Sequence, residues 1–270
     1  LEEAAVELRE LLDELGDGGG REWRSRRWCG LRVGVRLVHP ESEPDGAAGR
    51  ATIVGVYEER CSTRVDATMW RSVAAGPHRV LPDGCMDVLW WRGSLVVAGA
   101  DTGAHLSDVR RGESVVGVRF DPGVLPALLG VPATEVTDQR VELTEFLGAG
   151  RTRRIAERLE GAADPWALER VLLDEVGTDR DTTIELSLST EQRRHLVRRI
   201  DTGCSVAALA DETGWSERQL LRRSRHVFGY GPTVLRRVLR LQRALEVARS
   251  GRPLADVAVD TGYSDQAHLS

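Results

Sequence analysis

The pattern of apolar and polar positions changes character along the chain. Leu8, Leu11, Leu12 and Leu15 share one side of a helical pattern over residues 2–15, which Asp17-Gly-Gly-Gly20 breaks. From about residue 54 to 148 the apolar runs are short, at 85–91, 95–98 and 114–120. Gly, Pro and Asp separate them, and Pro82-Asp83-Gly84 and Trp91-Arg92-Gly93 read as turns. This texture predicts a mostly β domain with one short helix over 123–129. A helical connector follows over 152–161 and 165–176.

The last third carries an internal repeat. Leu209-Ala-Asp-Glu-Thr-Gly-Trp-Ser216 returns 48 positions later as Val257-Ala-Val-Asp-Thr-Gly-Tyr-Ser264. Each shared position has a physical task in a pair of crossing helices. Ala210 and Ala258 are small enough for a close crossing. Gly214 and Gly262 admit the positive φ that ends a helix. Trp215 and Tyr263 would fill the angle, and Ser216 with Gln219 forms a capping box for the next helix. Ser205 suits the N-cap of the first helix. Between the copies, Pro232 fits the first turn of a long helix. Its apolar stripe is Leu235, Val238, Leu241, Leu245 and Ala248, with Arg236, Arg240 and Arg243 opposite. Gly251-Arg252-Pro253 ends it. In the second copy the next helix starts at Asp265, which aligns Leu269 with Leu220.

Charge sharpens this picture. The chain has a formal net charge of −5, yet Glu191 to Ser270 holds 14 Arg against 9 acidic residues. Between Trp215 and Arg252 there are 10 Arg and 2 Glu. A locally basic segment on an acidic protein suits a phosphate-binding module. All 37 basic residues are arginine, so any single arginine says less than it would elsewhere.

Residues from about 190 onward resemble the AraC-type DNA-binding domain, in which a long helix joins two helix-turn-helix units. The resemblance rests on Ser216-Glu-Arg-Gln-Leu-Leu-Arg-Arg223, Phe228-Gly-Tyr-Gly-Pro232, Leu239-Arg-Leu-Gln-Arg243 and Gly262-Tyr-Ser-Asp-Gln-Ala-His-Leu-Ser270. Ser224 departs from it, standing where an aromatic core residue is usual. The resemblance implies two recognition helices in successive major grooves of double-stranded DNA. After the Ser216 cap, Arg218, Leu221 and Arg222 would face the bases, the arginines suited to guanine and Leu221 to a thymine methyl. Arg223 and Arg225 suit phosphates. In the second helix the matching positions are Ala267 and Ser270, flanked by Gln266 and His268. RNA polymerase, an unnamed small-molecule effector and a second copy of the chain are the further partners that the resemblance admits. It also favours activation over repression.

Arg79-Val-Leu-Pro-Asp-Gly-Cys-Met-Asp-Val-Leu-Trp90, Val116-Gly-Val-Arg-Phe-Asp-Pro-Gly123 and Leu129-Gly-Val-Pro-Ala-Thr-Glu135 resemble an N-terminal domain of unassigned role that precedes such DNA-binding units. By analogy it would sense a signal or mediate dimerisation. Cys85, with Asp83, Asp87, His78 and His105 nearby in sequence, invites a thiol or metal sensor, but a cysteine in an apolar strand is more often a small hydrophobe. The two histidines have no metal-ligand spacing.

The expected fold class is α+β in two domains: a mostly β N-terminal domain, then an all-α domain with two helix-turn-helix units joined by a long helix. The expected division is 1–50 an extension, 51–150 the β sensor or dimerisation domain, 151–180 the connector, and 185–270 the DNA-binding domain. That last domain reads as cut within its second recognition helix, and Leu1-Glu2-Glu3 is no signal-peptide start, so a fragment and a cytoplasmic address are expected. No catalytic residue, metal site or cofactor is expected; hydrolase and phosphate-loop signatures are absent. Two other readings stay open. One is an alkyl-transfer DNA-repair protein with a reactive cysteine, although none of the four cysteines has an adjacent histidine. The other is a ligand- or partner-binding module without DNA binding.

Overall fold

The computed structural model describes residues 27–28, 31–32, 56–162, 164, 166–177 and 188–265. The helical reading of 2–15 lies outside these residues, as do Gln266, Ala267, His268 and Ser270. An N-terminal β-rich region is followed by a helical C-terminal region.

Ten strands are described. β1 (Arg27–Trp28) and β2 (Leu31–Arg32) pair with each other. β3 (Val56–Cys61), β4 (Ala67–Val73), β6 (Met86–Trp91), β7 (Ser94–Ala98), β9 (Ser114–Phe120) and β10 (Arg140–Glu142) build one antiparallel sheet in the order β10-β7-β6-β9-β4-β3. β5 (His78–Val80) pairs with β8 (His105–Ser107) as a separate ladder. Alternation along the strands fixes which side is core. Val88 of β6 stands opposite Val97 of β7 and Val118 of β9, and all three are fully buried. The β6–β7 turn is the predicted one, with Arg92 and Gly93 both at positive φ, as a two-residue hairpin turn demands.

Four helices belong to this half: α1 (Val124–Leu129), α2 (Thr144–Leu147), α3 (Ala149–Glu160) and α4 (Ala167–Val176). α3 and α4 do more than connect. Ile155, Leu168, Val171 and Leu172 join Met86, Val88 and Phe120 in one core, so the helix pair covers one sheet face. The opposite face carries Trp70, Leu89 and Trp91 beside Val115.

The helical region comprises α5 (Thr190–Asp201), α6 (Val206–Thr213), α7 (Glu217–Phe228), α8 (Pro232–Arg249) and α9 (Leu254–Asp260). The sequence reading had no place for α5, although Ser189 and Gln192 cap it with the same reciprocal box. Its Leu196, Val197 and Ile200 are buried with Leu209, Leu220, Leu235 and Leu239 in the same cluster as the sheet residues. The first helix-turn-helix unit and the β domain therefore share a continuous apolar core.

Polar contacts close the seam. Arg193 donates to Asp66 at 2.5 Å and to the Pro122 carbonyl at 3.2 Å, both side chains of the ion pair being only 8% exposed. Arg194 grips the same carboxylate. Burial pushes the Asp66 carboxyl up, but the hydrogen bonds from Arg194 and Arg193 outweigh it and hold it below its ordinary value. Gly229 sits against Thr137 so closely that an added Cβ would overlap its Oγ1.

Candidate nucleic-acid interface

The repeat seen in sequence is a repeat of hydrogen bonds. In the first unit the Trp215 amide donates to the Ala210 carbonyl at 3.0 Å; in the second the Tyr263 amide donates to Ala258 at 2.8 Å. Thr213 Oγ1 donates to the Leu209 carbonyl at 2.7 Å, and Thr261 Oγ1 to Val257 at 2.6 Å. Gly214 and Gly262 take φ of 69° and 77°, the left-handed conformation that ends each leading helix. Each aromatic at the turn lies under a guanidinium: Arg223 stands 4.7 Å over Trp215 and Arg240 stands 4.2 Å over Tyr263.

α7 begins where the sequence places it. Ser216 accepts from the Gln219 amide at 3.3 Å while Gln219 accepts from the Ser216 amide at 2.8 Å. The cap fixes which face turns inward. Leu220, Ser224, Val227 and Phe228 are buried, whereas Ser216, Arg218, Leu221, Arg222 and Arg225 are exposed. Six of the ten expected contact residues therefore lie on the outer side of one capped helix and its start, with Arg223 half-buried against Trp215. The other four are outside the described residues.

Electrostatics separates the arginines further. Arg218, Arg222 and Arg225 form no ion pair among the described residues, whereas Arg199 pairs with Glu212, Arg243 with Asp201 at 3.3 Å and Arg252 with Asp260. Arg240 and Arg243, which the helical wheel placed on an outer face, hold structure instead. Arg240 also donates to the Gly262 carbonyl at 3.2 Å. Arg237, which the sequence reading does not single out, is exposed on α8 and near enough to Tyr263 to help offset the upward push of burial on that phenol. Its sequence signal was only one arginine more in an arginine-rich helix.

Leu221 is 38% exposed. Its Cδ1 reaches toward Gly231, where an added Cβ would stand 2.6 Å away. Part of this side chain is therefore committed to the start of α8, and the remainder faces outward. Ser224, flagged as a departure, is fully buried with no partner for its hydroxyl among the described residues.

Cys85 is buried, and burial first, then the nearby Asp83 carboxylate, pushes its thiol well above the ordinary range. A thiol held protonated in this way is the reverse of the activated thiolate that alkyl transfer needs. His78 and His105 occupy diagonal positions of the β5–β8 ladder, His78 being paired with Ser107 and Val80 with His105. Among the described residues no group of three or more His, Cys, Asp or Glu side chains is placed to hold a metal ion.

Residues 209–270 match a family described as a helix-turn-helix domain, and residues 60–142 match a domain of unknown function, DUF6597. The C-terminal segment is an AraC-type helix-turn-helix domain. Such a domain belongs to DNA-binding transcription regulators, and regulators of this kind are normally not enzymes. No curated protein sequence matches the chain. Solved structures similar to it include an apo variant of ToxT from Vibrio cholerae, at 11% identity over 83% of this chain and 93% of that one, with a TM-score of 0.36. Another is ToxT from Vibrio cholerae bound to (E)-4-(8-methylnaphthalen-1-yl)but-3-enoic acid, at 10% identity over 80% and 92%, with a TM-score of 0.35. Among the described residues no helix is long and apolar enough to cross a membrane.

Proposed function

We propose that this protein is a sequence-specific transcription activator of the cytoplasm that lays α7 in one major groove and the segment after Ser264 in the next. The observation that carries the proposal is the outer side of α7, where Arg218, Leu221, Arg222 and Arg225 stand exposed behind a capping box. Three of the four are arginines without an ion pair among the described residues. A cation that no carboxylate neutralises is free to replace the counterions of a phosphate or to donate twice to guanine. Arg218 and Arg222 read bases, Leu221 adds apolar contact, and Arg223 and Arg225 hold phosphates. Gln266, Ala267, His268 and Ser270 complete the second reader. Activation rests on the family resemblance, with RNA polymerase as the partner that activation needs. The β domain receives the signal, from a small molecule or through pairing of two copies of the chain.

Substitution separates the two arginine roles. Arg222→Ala should relax discrimination at one base position by roughly 1–3 kcal/mol, read by binding to a set of duplexes that differ only there. Arg225→Ala should weaken all duplexes alike and lower the salt slope by about one. Unchanged site preference in Arg222→Ala would remove Arg222 as a base reader, and the same result in Arg218→Ala as well would remove α7.

A further inference from the structure

We infer that the Leu81-Pro82-Asp83-Gly84 loop is the transmission element of the protein, linking a charged cluster on the β sheet to the helix that spaces the two DNA-reading units. The biological sense of this inference rests on the regulator reading; the contacts do not. On the sheet side, Arg119 of β9 lies between two carboxylates, with its Nε 3.3 Å from Asp83 and 3.4 Å from Asp87. Trp70 of β4 donates its indole N–H to Asp87 at 2.8 Å. All three charged side chains are largely but not fully covered, so the cluster is held by specific partners yet still reached by solvent.

On the other side, the loop touches α8 or its lead-in at three of its four residues. Leu81 packs against the apolar cluster that α8 forms with α9, Ala244, Leu245, Ala248, Val257 and Ala258. The Pro82 carbonyl accepts from Gln242 Nε2 at 2.6 Å in a buried hydrogen bond. Gly84, at φ +83°, leaves just enough room that a Cβ there would stand 3.5 Å from Leu235 and 3.6 Å from the Tyr230 hydroxyl. That hydroxyl is buried with no hydrogen-bond partner among the described residues. Asp83 lies between these contacts. One carboxylate oxygen faces Arg119 while the other accepts from the Cys85 amide at 2.9 Å, which stiffens the loop. A change at Arg119 that releases Asp83 therefore loosens the loop, which is the β domain's support for α8 and its lead-in between Tyr230 and Ala248. Because α8 sets the separation of the two units, the change reads out as a different spacing on DNA.

The test uses the full chain and two readouts. Hydrogen exchange, without DNA, follows the peptide over residues 230–248 in Asp83→Asn, which keeps the shape and removes the charge. Exchange there should rise about tenfold, with the 206–222 segment unchanged. Glu113→Gln breaks a more exposed ion pair with Arg92 at the far end of the sheet and should leave 230–248 as it was. In a Gln242→Leu background, Asp83→Asn should add less than it does in the parent chain, since the loop's hydrogen bond to α8 is already gone. Equal effects of Asp83→Asn and Glu113→Gln, or full additivity with Gln242→Leu, would overturn the inference. Arg119→Lys is the second route, should Asp83→Asn fail to fold. The DNA readout compares duplexes whose two half-elements are spaced differently. Asp83→Asn should change the affinity ratio between spacings about fivefold while leaving a single half-element unaffected. If the parent protein binds no DNA, the regulator reading fails but the exchange result still decides the loop's role.

Discussion

The two helix-turn-helix units share a turn down to matching hydrogen bonds, yet they are anchored differently. The first is buried into the β domain: Leu220 and Phe228 of α7 belong to the core that includes Val88 and Val118 of the sheet. Among the described residues, the second rests on a separate cluster, Ala244, Leu245, Ala248, Val257 and Ala258, to which the β domain contributes Leu81. Val259 on its leading helix is 73% exposed. Among the described residues, the same motif thus packs into a larger core in one copy and against a single helix in the other. Stability of a local segment follows its buried contacts, so the first unit should hold its shape when the second does not.

The largest expected effect comes from breaking the clamp on the first unit. Asp66→Ala leaves the Arg193 guanidinium buried without its partner, which should cost about 3–5 kcal/mol in denaturant unfolding. A loss below about 1 kcal/mol would mean that the Arg193–Asp66 pair adds little to the apolar core that joins the first unit to the β domain.

A second, smaller effect depends on pH. Burial, reinforced by the Asp66 carboxylate, raises the Asp121 carboxyl to about 6 from 3.8 despite Arg193 and Arg194 nearby. Below about pH 4 the group is neutral in both folded and unfolded chains, and above about pH 6 it is charged in both. Between those values the folded chain alone holds the proton, so this group lowers stability as pH rises through the window. Asp121→Asn should remove a penalty on the order of 2 kcal/mol at pH 7 and almost none at pH 4. Urea midpoints at the two pH values check this, and a gain that is the same at both would refute the assignment.

Ser224→Ala should come next, with a gain of about 1 kcal/mol, because it deletes a buried hydroxyl that finds no partner among the described residues. A loss of stability on that change would reveal a partner for the hydroxyl. Smallest of all, Arg252→Ala removes a pair with Asp260 in which both side chains are more than two-fifths exposed. It should shift unfolding by less than about 1 kcal/mol. A larger shift would show the second unit to be as tightly tied as the first.

Much of this comparison was legible in the sequence, and the reasons are local. The Thr-Gly-aromatic-Ser repeat, the Ser216–Gln219 box and Pro232 act within a few residues of themselves, so their geometry follows from the chain directly. The strands 85–91, 95–98 and 114–120 announced themselves by composition and turns. What stayed hidden depends on distant partners. Arg193 reads as one more basic residue until Asp66, 127 positions away, is found beside it. Arg240 and Arg243 fall on the polar side of a helical wheel, yet they stack on Tyr263 and pair with Asp201. β3, β4 and β10 lack a strong apolar alternation, since sheet neighbours rather than their own residues hold them. The helix pair read as a connector becomes a core layer for the same reason.

The central claim is that two unequal units read DNA together, and selection from a pool of random duplexes tests it most directly. The account predicts enrichment of one site with two half-elements about one helical turn apart, the stronger base preference falling in the half read by α7. Enrichment of no sequence at all, from folded protein at low salt, would contradict it.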